Sequence, residues 1–447
     1  MSIDSLDIIP FQNNTKLNVE IPGSKSISNR SLILSVLNYG KVNLKGILES
    51  DDVNIMIVAL KKLGVKIEKE NNDSIFVYGT GGKLSVKKAI LNVGNAGTVA
   101  RFLTALLALQ YDGEYLLDGS VAMRERPMKG LIDALKIHGT KFSFIDKKNH
   151  FPLKIIPNGL NTENWEIDAS LSSQILSAIL IISPYIPGET RIQLMKDTVS
   201  KPFVKMTIEM MSQFSENSGF RVVEDNNIFQ IGHFKYKLKG GLYVIEPDAT
   251  AASYFLSLPI AINGSVHVKN VQNCQLQGDI DYAKVISSCG VTIKKDQFGL
   301  IASVNSKIKG GDFNFNDISD TFLTLAALSP ILKTPLKISG IAHTRNQETD
   351  RVSGMVSQLR KIVSYVKEAE DFIYIEPYEN LNKFIGSNLI SIETYEDHRF
   401  AMSFSVLGSF DLFGNQSPWI KILDPMCCAK TFPEFFEVLS LCRTNTV

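Results

Sequence analysis

Six segments of the 447-residue chain share one pattern, a polar opening of small, hydroxyl or acidic residues that runs into an apolar stretch. The apolar residues recur at helical spacing, so each segment is predicted to form a short apolar helix. The six begin about 70–80 residues apart: Ser24–Leu37, Asn95–Leu109, Ser170–Ile182, Asp248–Ile260, Asp317–Leu328 and Glu396–Leu407. A regular period of this length indicates an internal repeat.

A second, more amphipathic helix is predicted after each first one. These helices are Asp51–Leu63, Arg126–His138, Ser200–Phe214, Gly278–Cys289, Glu348–Tyr365 and Lys430–Cys442. Several lead into a glycine and a β-branched strand, as at Gly64–Ile67 and Gly290–Ile293. The pattern therefore predicts an α/β (α+β) fold of six βαβαββ units, each about 75 residues long.

Composition narrows the class of protein. The chain carries 47 Lys and Arg against 46 Asp and Glu, a formal net charge of +1. This balance gives no global reason to expect nucleic acid or membrane surfaces as partners. With 44% hydrophobic and 21% charged residues, the chain is typical of a globular protein with a sizeable core.

Cysteine usage and the N-terminal stretch indicate a cytoplasmic location. The five cysteines form no Cys-x-x-Cys pair, so we expect a reducing compartment and no zinc site. Met1–Asp7 is acidic and lacks an apolar core segment, which argues against a signal peptide. No stretch approaches the roughly 18 apolar residues of a membrane span.

The polar starts of the first helices carry basic residues beside Gly, Ser or Thr. Helix N-termini expose unpaired N–H groups and suit anions, so converging starts would form an anion-binding cleft. Lys25 and Arg30 share one start, where solvated surface charge is the plainer alternative. Asp320 opens a helix and is either a cap or a general base. Four further guanidiniums can grip carboxylate or phosphate oxygens: Arg101, Arg126, Arg351 and Arg399.

At these starts the chain resembles the 5-enolpyruvylshikimate-3-phosphate synthase family of enolpyruvyl transferases. The matching motifs lie in order: Gly23-Ser-Lys-Ser-Ile-Ser-Asn-Arg30, Gly94-Asn-Ala-Gly-Thr-Val-Ala-Arg101, Arg124-Glu-Arg-Pro127, Ser172-Ser-Gln174, Val199-Ser-Lys-Pro202, Glu348-Thr-Asp-Arg351, Asp397-His-Arg399 and Ala429-Lys-Thr-Phe-Pro433. The resemblance implies two domains of three units each, an inside-out α/β barrel with the active site in the cleft between domains. The expected domains are residues 22–242 and residues 1–21 with 243–447, joined by a double crossover near 21 and 242.

The resemblance also implies an enzyme, a 3-phosphoshikimate 1-carboxyvinyltransferase of aromatic amino-acid biosynthesis. It would need no metal or other cofactor, would act as a monomer, and would bind only small molecules. Asp320, Lys25 and Glu348 are implied as catalytic. Phosphoenolpyruvate would be bound by Lys25, Asn95, Gly97, Thr98, Arg101, Arg126, Gln174, Arg351, Arg399 and Lys430. Shikimate 3-phosphate would be bound by Lys25, Ser26, Arg30, Ser172, Ser173, Gln174, Ser200, Asp320, His343 and Gln347.

Four positions depart from the family's usual pattern. Gln347 stands where a lysine is normal and His343 where an asparagine is normal, while Phe203 replaces a tyrosine and Ala122 an arginine. Three of the four lie on the acceptor side, so an enolpyruvyl transferase for another phosphorylated alcohol in secondary metabolism is one alternative. The UDP-N-acetylglucosamine transferases of the same fold usually carry a loop cysteine, and Ser120–Arg126 has none. A non-catalytic binding protein is the alternative from another class.

Overall fold

The computed structural model describes residues 4–71, 73–161, 164–215, 219–305 and 308–444. The first three residues of the N-terminal stretch that argued against a signal peptide lie outside these ranges. The chain forms two compact units. The middle unit is Gly23–Glu246, and the terminal unit combines Met1–Pro22 with Pro247–Val447. No helix within the described ranges is long and apolar enough to cross a membrane.

The described part of the middle unit contains three four-stranded sheets of one topology. In each sheet the first two strands in spatial order are parallel, and the third and fourth each run antiparallel to their neighbour. The first sheet has the spatial order Leu242–Val244, Tyr39–Lys45, Ser74–Thr80 and Ile67–Lys69. The second has the order Lys88–Asn92, Glu114–Asp118, Leu153–Ile156 and Lys141–Phe144. The third has the order Trp165–Ile167, Thr190–Leu194, Ile228–Ile231 and Val222–Asp225.

Two of the three sheets described in the terminal unit repeat this topology, and the third has three strands. One sheet has the order Thr292–Lys295, Gly299–Ser303, Ser265–Lys269 and Lys16–Glu20, with the last two strands parallel. Another has the order Asp312–Asn314, Leu336–Ser339, Phe372–Glu376 and Tyr365–Glu368. The third has the order Ser5–Asp7, Ile420–Leu423 and Ile390–Ile392. Buried and exposed positions alternate along many of these strands, as expected for sheets with one face on the core.

Three apolar helices pack against one another at the centre of each unit. In the middle unit they are Lys25–Leu37, Gly97–Ala108 and Ser173–Ile182, and in the terminal unit Ala249–Ile262, Phe322–Leu328 and His398–Gly408. Almost all of their residues are buried, which is where a helix that is apolar on every side must lie. Five of the six predicted first helices are therefore present within three residues of their expected bounds, and the one expected from Asp317 begins at Phe322, after the 3₁₀ turn Ser319–Thr321.

The remaining helices are shorter or more exposed. They are Asp51–Lys62, Val121–Glu125, Lys129–Ile137, Lys201–Gln213, Tyr282–Cys289, Arg351–Leu359, Leu381–Ile385 and Phe435–Thr444. Short 3₁₀ helices occur at Ser183–Tyr185, Lys239–Gly241, Val271–Asn273, Gly278–Asp281, Ser319–Thr321, Ser329–Ile331, Ala342–Asn346 and Pro425–Lys430.

Two of the predicted second helices differ from the structure by five or six residues at one end, and two more begin three or four residues late, at Lys129 and Tyr282. The helix expected over Glu348–Tyr365 spans only Arg351–Leu359, because the Asp350 carboxylate caps it and Tyr365 begins a strand. The helix expected from Lys430 begins at Phe435, and Lys430 instead closes a 3₁₀ turn. Pro433 lies between the two elements and lacks the N–H that a continuous helix would require.

Candidate active site

Lys25 opens the first central helix of the middle unit beside a buried carboxylate. Its Nζ lies 3.3 Å from Oδ2 of Asp52, and only 14% and 4% of the two side chains are exposed. Asp52 lies in the first turn of the helix Asp51–Lys62, which packs on the helix of Lys25. Asp52 was not predicted as a site residue, and the one signal for it in the sequence is the acidic pair Asp51-Asp52 at a helix start.

The start of the second central helix gathers two guanidiniums against the backbone. Arg101 Nη1 donates to the Gly97 carbonyl at 3.0 Å, and Arg126 Nη1 donates to the Asn95 carbonyl at 3.3 Å. A Cβ on Gly97 would lie 2.6 Å from Arg101 Nη1 and 2.7 Å from Arg126 Nη2. A glycine is therefore needed for both cations to approach this helix start so closely.

Arg101 also joins this helix start to the third central helix. Its Nη1 donates to Oε1 of Gln174 at 3.1 Å, and its Nη2 donates to the Pro127 carbonyl at 2.8 Å. Thr98 is buried one residue beyond Gly97. The structure thus brings five predicted residues into one cluster: Asn95, Gly97, Arg101, Arg126 and Gln174.

Arg30 points into the core of the middle unit. Its Nε donates to Thr207 Oγ1 at 2.8 Å and its Nη1 to the Ser26 carbonyl at 3.1 Å, and the guanidinium lies 5.3 Å from the Phe102 ring centroid. Burial lowers the pKa of Arg30 to about 9, so it stays protonated at neutral pH. No carboxylate of the described residues forms an ion pair with it.

The predicted serines lie at helix starts of the same unit. Ser172 precedes the helix Ser173–Ile182, and Ser173 begins it, directly before Gln174. Ser200 precedes the helix Lys201–Gln213 with a left-handed backbone, φ +50°. That helix supplies the Phe203 carbonyl to Arg30 Nη2 at 3.3 Å, so Ser200 lies near the same group of side chains.

Two guanidiniums of the terminal unit converge on one carboxylate. Arg351 Nη1 lies 3.2 Å from Oδ1 of Asp320, and Arg399 Nη2 lies 2.7 Å from Oδ2 of the same residue. Asp320 lies in the 3₁₀ turn Ser319–Thr321, and each arginine comes from the start of its own helix. The residues therefore form a carboxylate-binding pair that Asp320 itself occupies.

Further acidic groups surround Arg351. Its Nε donates to Oδ2 of Asp397 at 2.7 Å, its Nη2 donates to Oε2 of Glu348 at 2.9 Å, and its Nη1 donates to Oε1 of Gln347. Lys430 Nζ lies 3.8 Å from the other oxygen of Glu348. Asp397 is fully buried and also caps its helix by accepting from Arg399 N at 3.0 Å. Asp397 stands in the motif Asp397-His-Arg399, but the motif alone predicts no role for it.

These ion pairs hold both arginines in the charged form. Burial by itself lowers the pKa of Arg351, but the carboxylates of Asp397 and Glu348 outweigh burial and raise it. Burial by itself also lowers the pKa of Arg399, but the neighbouring Asp320 carboxylate outweighs burial and raises it. Both arginines are therefore charged donors, which an anionic ligand can bond in place of Asp320.

His343 and Asp279 lie beside Asp320 in the terminal unit. His343 Nε2 is 2.8 Å from Ser319 Oγ, and burial lowers the pKa of His343, which favours a neutral ring. Asp279 accepts a hydrogen bond from the Thr250 hydroxyl, and burial together with the Asp320 charge raises the pKa of Asp279 to about 7. No motif in the sequence marked Asp279 as a site residue.

Comparison with known proteins gives one consistent result. A profile described as EPSP synthase (3-phosphoshikimate 1-carboxyvinyltransferase) matches residues 11–439. A 3-phosphoshikimate 1-carboxyvinyltransferase of Opitutus terrae is 41% identical over 452 residues, covering 99% of both chains. One of Vibrio campbellii is 37% identical, covering 98% of this chain and 99% of the other. The solved EPSP synthase of Acinetobacter baumannii shares the fold with TM-score 0.76 at 23% identity, covering 98% and 97% of the two chains.

Proposed function

The chain belongs to the EPSP synthase (3-phosphoshikimate 1-carboxyvinyltransferase) family, and from this premise we propose that it acts on the substrates of that name. The reaction transfers the enolpyruvyl group of phosphoenolpyruvate to the 5-hydroxyl of shikimate 3-phosphate and releases phosphate. It is a step of the shikimate pathway and of aromatic amino-acid biosynthesis.

The observation that carries this proposal is the arginine pair of the terminal unit. Arg351 and Arg399 both bond one carboxylate, that of Asp320, through separate oxygens. A second carboxylate of similar size can take the same two donors, so we assign this pair to the carboxylate of phosphoenolpyruvate. Lys430, which lies 3.8 Å from Glu348, is assigned to the same substrate.

The phosphate of phosphoenolpyruvate is assigned to the middle unit. The helix that begins at Gly97 presents N–H groups and the positive end of its dipole. Arg101 and Arg126 lie against that helix start, and Lys25 opens a helix that packs beside it. Asn95, Thr98 and Gln174 supply further polar contacts, so this half of the site suits a doubly charged phosphate.

The shikimate 3-phosphate site takes residues from several helix starts. In the middle unit we assign Lys25, Ser26, Arg30, Ser172, Ser173, Gln174 and Ser200, and in the terminal unit Asp320, His343 and Gln347. Most are neutral donors, which suit ring hydroxyls and phosphate oxygens. Since Arg30 is 1% exposed and bonds Thr207, its contribution is to fix the helices that carry the serines.

The chemistry needs proton transfers at two atoms. Asp320 accepts the proton of the 5-hydroxyl as that oxygen attacks C2, while C3 gains a proton and a tetrahedral intermediate forms. Loss of phosphate from C2 and of a proton from C3 then gives the enol ether. Lys25 and Glu348 serve these transfers, and the cations of both units stabilise the phosphate as it leaves.

The proposal includes the finer architecture that the family implies. The six βαβαββ units would form two domains, 22–242 and 1–21 with 243–447, around an active site in the cleft between them. The two groups of site residues described above would then meet around the substrates as the domains close. A monomer and a cytoplasmic location complete the proposal.

A phosphate-release assay with phosphoenolpyruvate and shikimate 3-phosphate tests the function. Turnover that requires both compounds supports it. Binding of phosphoenolpyruvate without turnover would indicate an acceptor other than shikimate 3-phosphate, and failure to bind either compound would indicate a non-catalytic protein. Chromatography that identifies the enol ether product completes the test.

A further inference from the structure

Two residues of the proposed site lie on a short connection rather than on a helix. Gln347 and Glu348 follow the 3₁₀ turn Ala342–Asn346 and precede the helix Arg351–Leu359. A short connection between two such elements keeps a fixed position only where neighbouring groups hold it.

The guanidinium of Arg345 ties this connection to the helix that follows. Its Nη1 donates to both carboxylate oxygens of Asp350, at 3.1 and 2.9 Å, and to Ser353 Oγ at 3.0 Å. Asp350 is the N-cap of the helix Arg351–Leu359, and Ser353 lies in its first turn. Arg345 therefore fixes the point at which the connection becomes helical.

The same guanidinium reaches the turn between two strands of the neighbouring sheet. Its Nη2 donates to Oε2 of Glu368 at 2.9 Å and to the Ala369 carbonyl at 2.7 Å, and its Nε donates to the Glu370 carbonyl at 3.1 Å. Ser353 Oγ donates to the same Glu368 oxygen at 2.9 Å, so turn, helix and connection share one hydrogen-bonded network.

The strand turn also holds the beginning of the 3₁₀ turn. Asp371 accepts from Gly340 N at 3.1 Å and from Ala342 N at 2.9 Å. The segment from Gly340 to Asp350 is thus anchored at one end by Asp371 and at the other by Arg345. The ion pair between Arg345 and Asp350 closes a loop of the chain, and Gln347 and Glu348 lie within that loop.

We propose that Arg345 is a positioning residue that holds Glu348 and Gln347 in place for the reaction, an inference that rests on the proposed function. Arg345 has no contact with the arginine pair. It acts through Asp350 and the strand turn, and a planar guanidinium is needed because one ammonium group cannot reach six acceptor atoms in different directions.

The effect should fall on Glu348 more than on Arg351. Arg351 is held independently by Asp397 and Asp320, at 2.7 and 3.2 Å. Glu348, which is proposed to transfer a proton, lies on the connection itself, between Arg345 and the N-cap residue Asp350. We therefore expect changes at Arg345 to lower kcat while the KM for phosphoenolpyruvate changes little.

The test compares Arg345→Lys with the wild-type protein in the phosphate-release assay. Misplacement of a catalytic group by about 1 Å lowers rates on the order of a hundredfold, so we expect kcat to fall about 10- to 100-fold. Arg360→Lys is the matched control, because Arg360 is exposed at the other end of the same helix. It should keep the wild-type kcat.

A thermal unfolding curve of each variant separates positioning from loss of fold. Glu368→Gln is a milder second variant, which keeps the Arg345–Asp350 pair and weakens the contact with the strand turn. A smaller decrease of kcat in folded Glu368→Gln supports the inference. The inference is overturned if folded Arg345→Lys or folded Glu368→Gln has the same kcat as Arg360→Lys. It is also overturned if kcat falls equally in all three variants. A wild-type protein without turnover would overturn the proposed function itself.

Discussion

Asp320 occupies the donors that we assign to the substrate carboxylate. Its two oxygens bond Arg351 and Arg399, so the free protein neutralises its own arginine pair. An incoming carboxylate must displace Asp320 from these guanidiniums, and the displaced carboxylate is then available as a base. Binding of phosphoenolpyruvate and activation of Asp320 would in this way be one event.

The variant Asp320→Asn tests this exchange. Loss of the base should lower kcat about 10²- to 10⁴-fold. Loss of the competing charge should at the same time tighten phosphoenolpyruvate binding, by about tenfold if one charge-assisted hydrogen bond no longer has to be broken. Isothermal titration calorimetry on the variant measures its affinity for phosphoenolpyruvate, and the phosphate-release assay measures its kcat.

Asp279→Asn serves as the control for Asp320→Asn. Asp279 acts on Arg399 through its charge, but its hydrogen bond goes to Thr250. The comparison is made at pH 8, where Asp279 is ionised. If any nearby negative charge weakens phosphoenolpyruvate binding, both variants should bind it more tightly than the wild type. Equal tightening in the two would refute the exchange, and a near-normal kcat in Asp320→Asn would remove Asp320 as the base.

Gln347→Lys tests the acceptor side. The Gln347 amide oxygen accepts from Arg351 Nη1, and a lysine would replace this acceptor by a second cation. We expect tighter binding of shikimate 3-phosphate, because an ammonium group forms a charge-assisted hydrogen bond with phosphate. In the ligand-free protein the same change should lower Tm through repulsion from Arg351. An unchanged or weaker Kd would show that Gln347 does not face the acceptor phosphate.

At the residue scale, the sequence predicted the cations better than their partners. Motif spacing marked Lys25, Arg351 and Arg399 as candidates. Asp52, the carboxylate partner of Lys25, lies 27 residues from it along the chain, and Asp397, a partner of Arg351, lies 46 residues from it. These pairs meet only through helix packing, which the spacing of residues along the chain does not reveal.

At the scale of elements, the contact between the 3₁₀ turn Gly278–Asp281 and the helix Ala249–Ile262 contains a titratable group. Burial raises the pKa of Asp279 from 3.8 to about 7, with the Asp320 charge as the second cause. Below pH 3.8 Asp279 is neutral both folded and unfolded. Between pH 3.8 and about 7 only the unfolded chain releases this proton, so the free energy of unfolding should fall as pH rises.

Chemical denaturation of wild type and Asp279→Asn across this pH range measures the effect. The difference in the free energy of unfolding between the two proteins should change by a few kcal/mol at most between pH 4 and pH 7.5, and the wild type should lose stability relative to the variant. A pH-independent difference would show that Asp279 has an ordinary pKa in the folded protein.

Element positions followed from the sequence more closely than element ends. The six apolar helices stand where their periodicity predicts them, because a continuous apolar surface has to be buried. The helix of Arg351 ends six residues before its predicted end, since strand pairing of Tyr365 with Glu376 competes for the last residues of the pattern. Strand partners are tertiary contacts, and helical periodicity does not report them.

At the scale of the whole molecule, the net charge of +1 does not reveal that the two units hold their basic site residues with different kinds of partner. In the terminal unit Arg351, Arg399 and Lys430 lie among Asp320, Glu348 and Asp397. In the middle unit Arg101 and Arg126 donate to main-chain carbonyls, and Arg30 donates to hydroxyl and carbonyl oxygens. The guanidiniums of the two units thus differ in the acceptors described for them, carboxylates in the terminal unit and carbonyl or hydroxyl oxygens in the middle unit.

The proposed assignment divides phosphoenolpyruvate between the units, with its carboxylate on Arg351 and Arg399 and its phosphate on the middle unit. A ligand bound at both ends draws its two binding surfaces together, so saturating substrates should lower the radius of gyration measured by small-angle X-ray scattering. Arg126→Ala removes a donor from the middle unit alone and should reduce this change at equal substrate concentration, with the ligand-free radius unaltered. Turnover with a radius of gyration that substrates do not change would refute closure of the two units on binding.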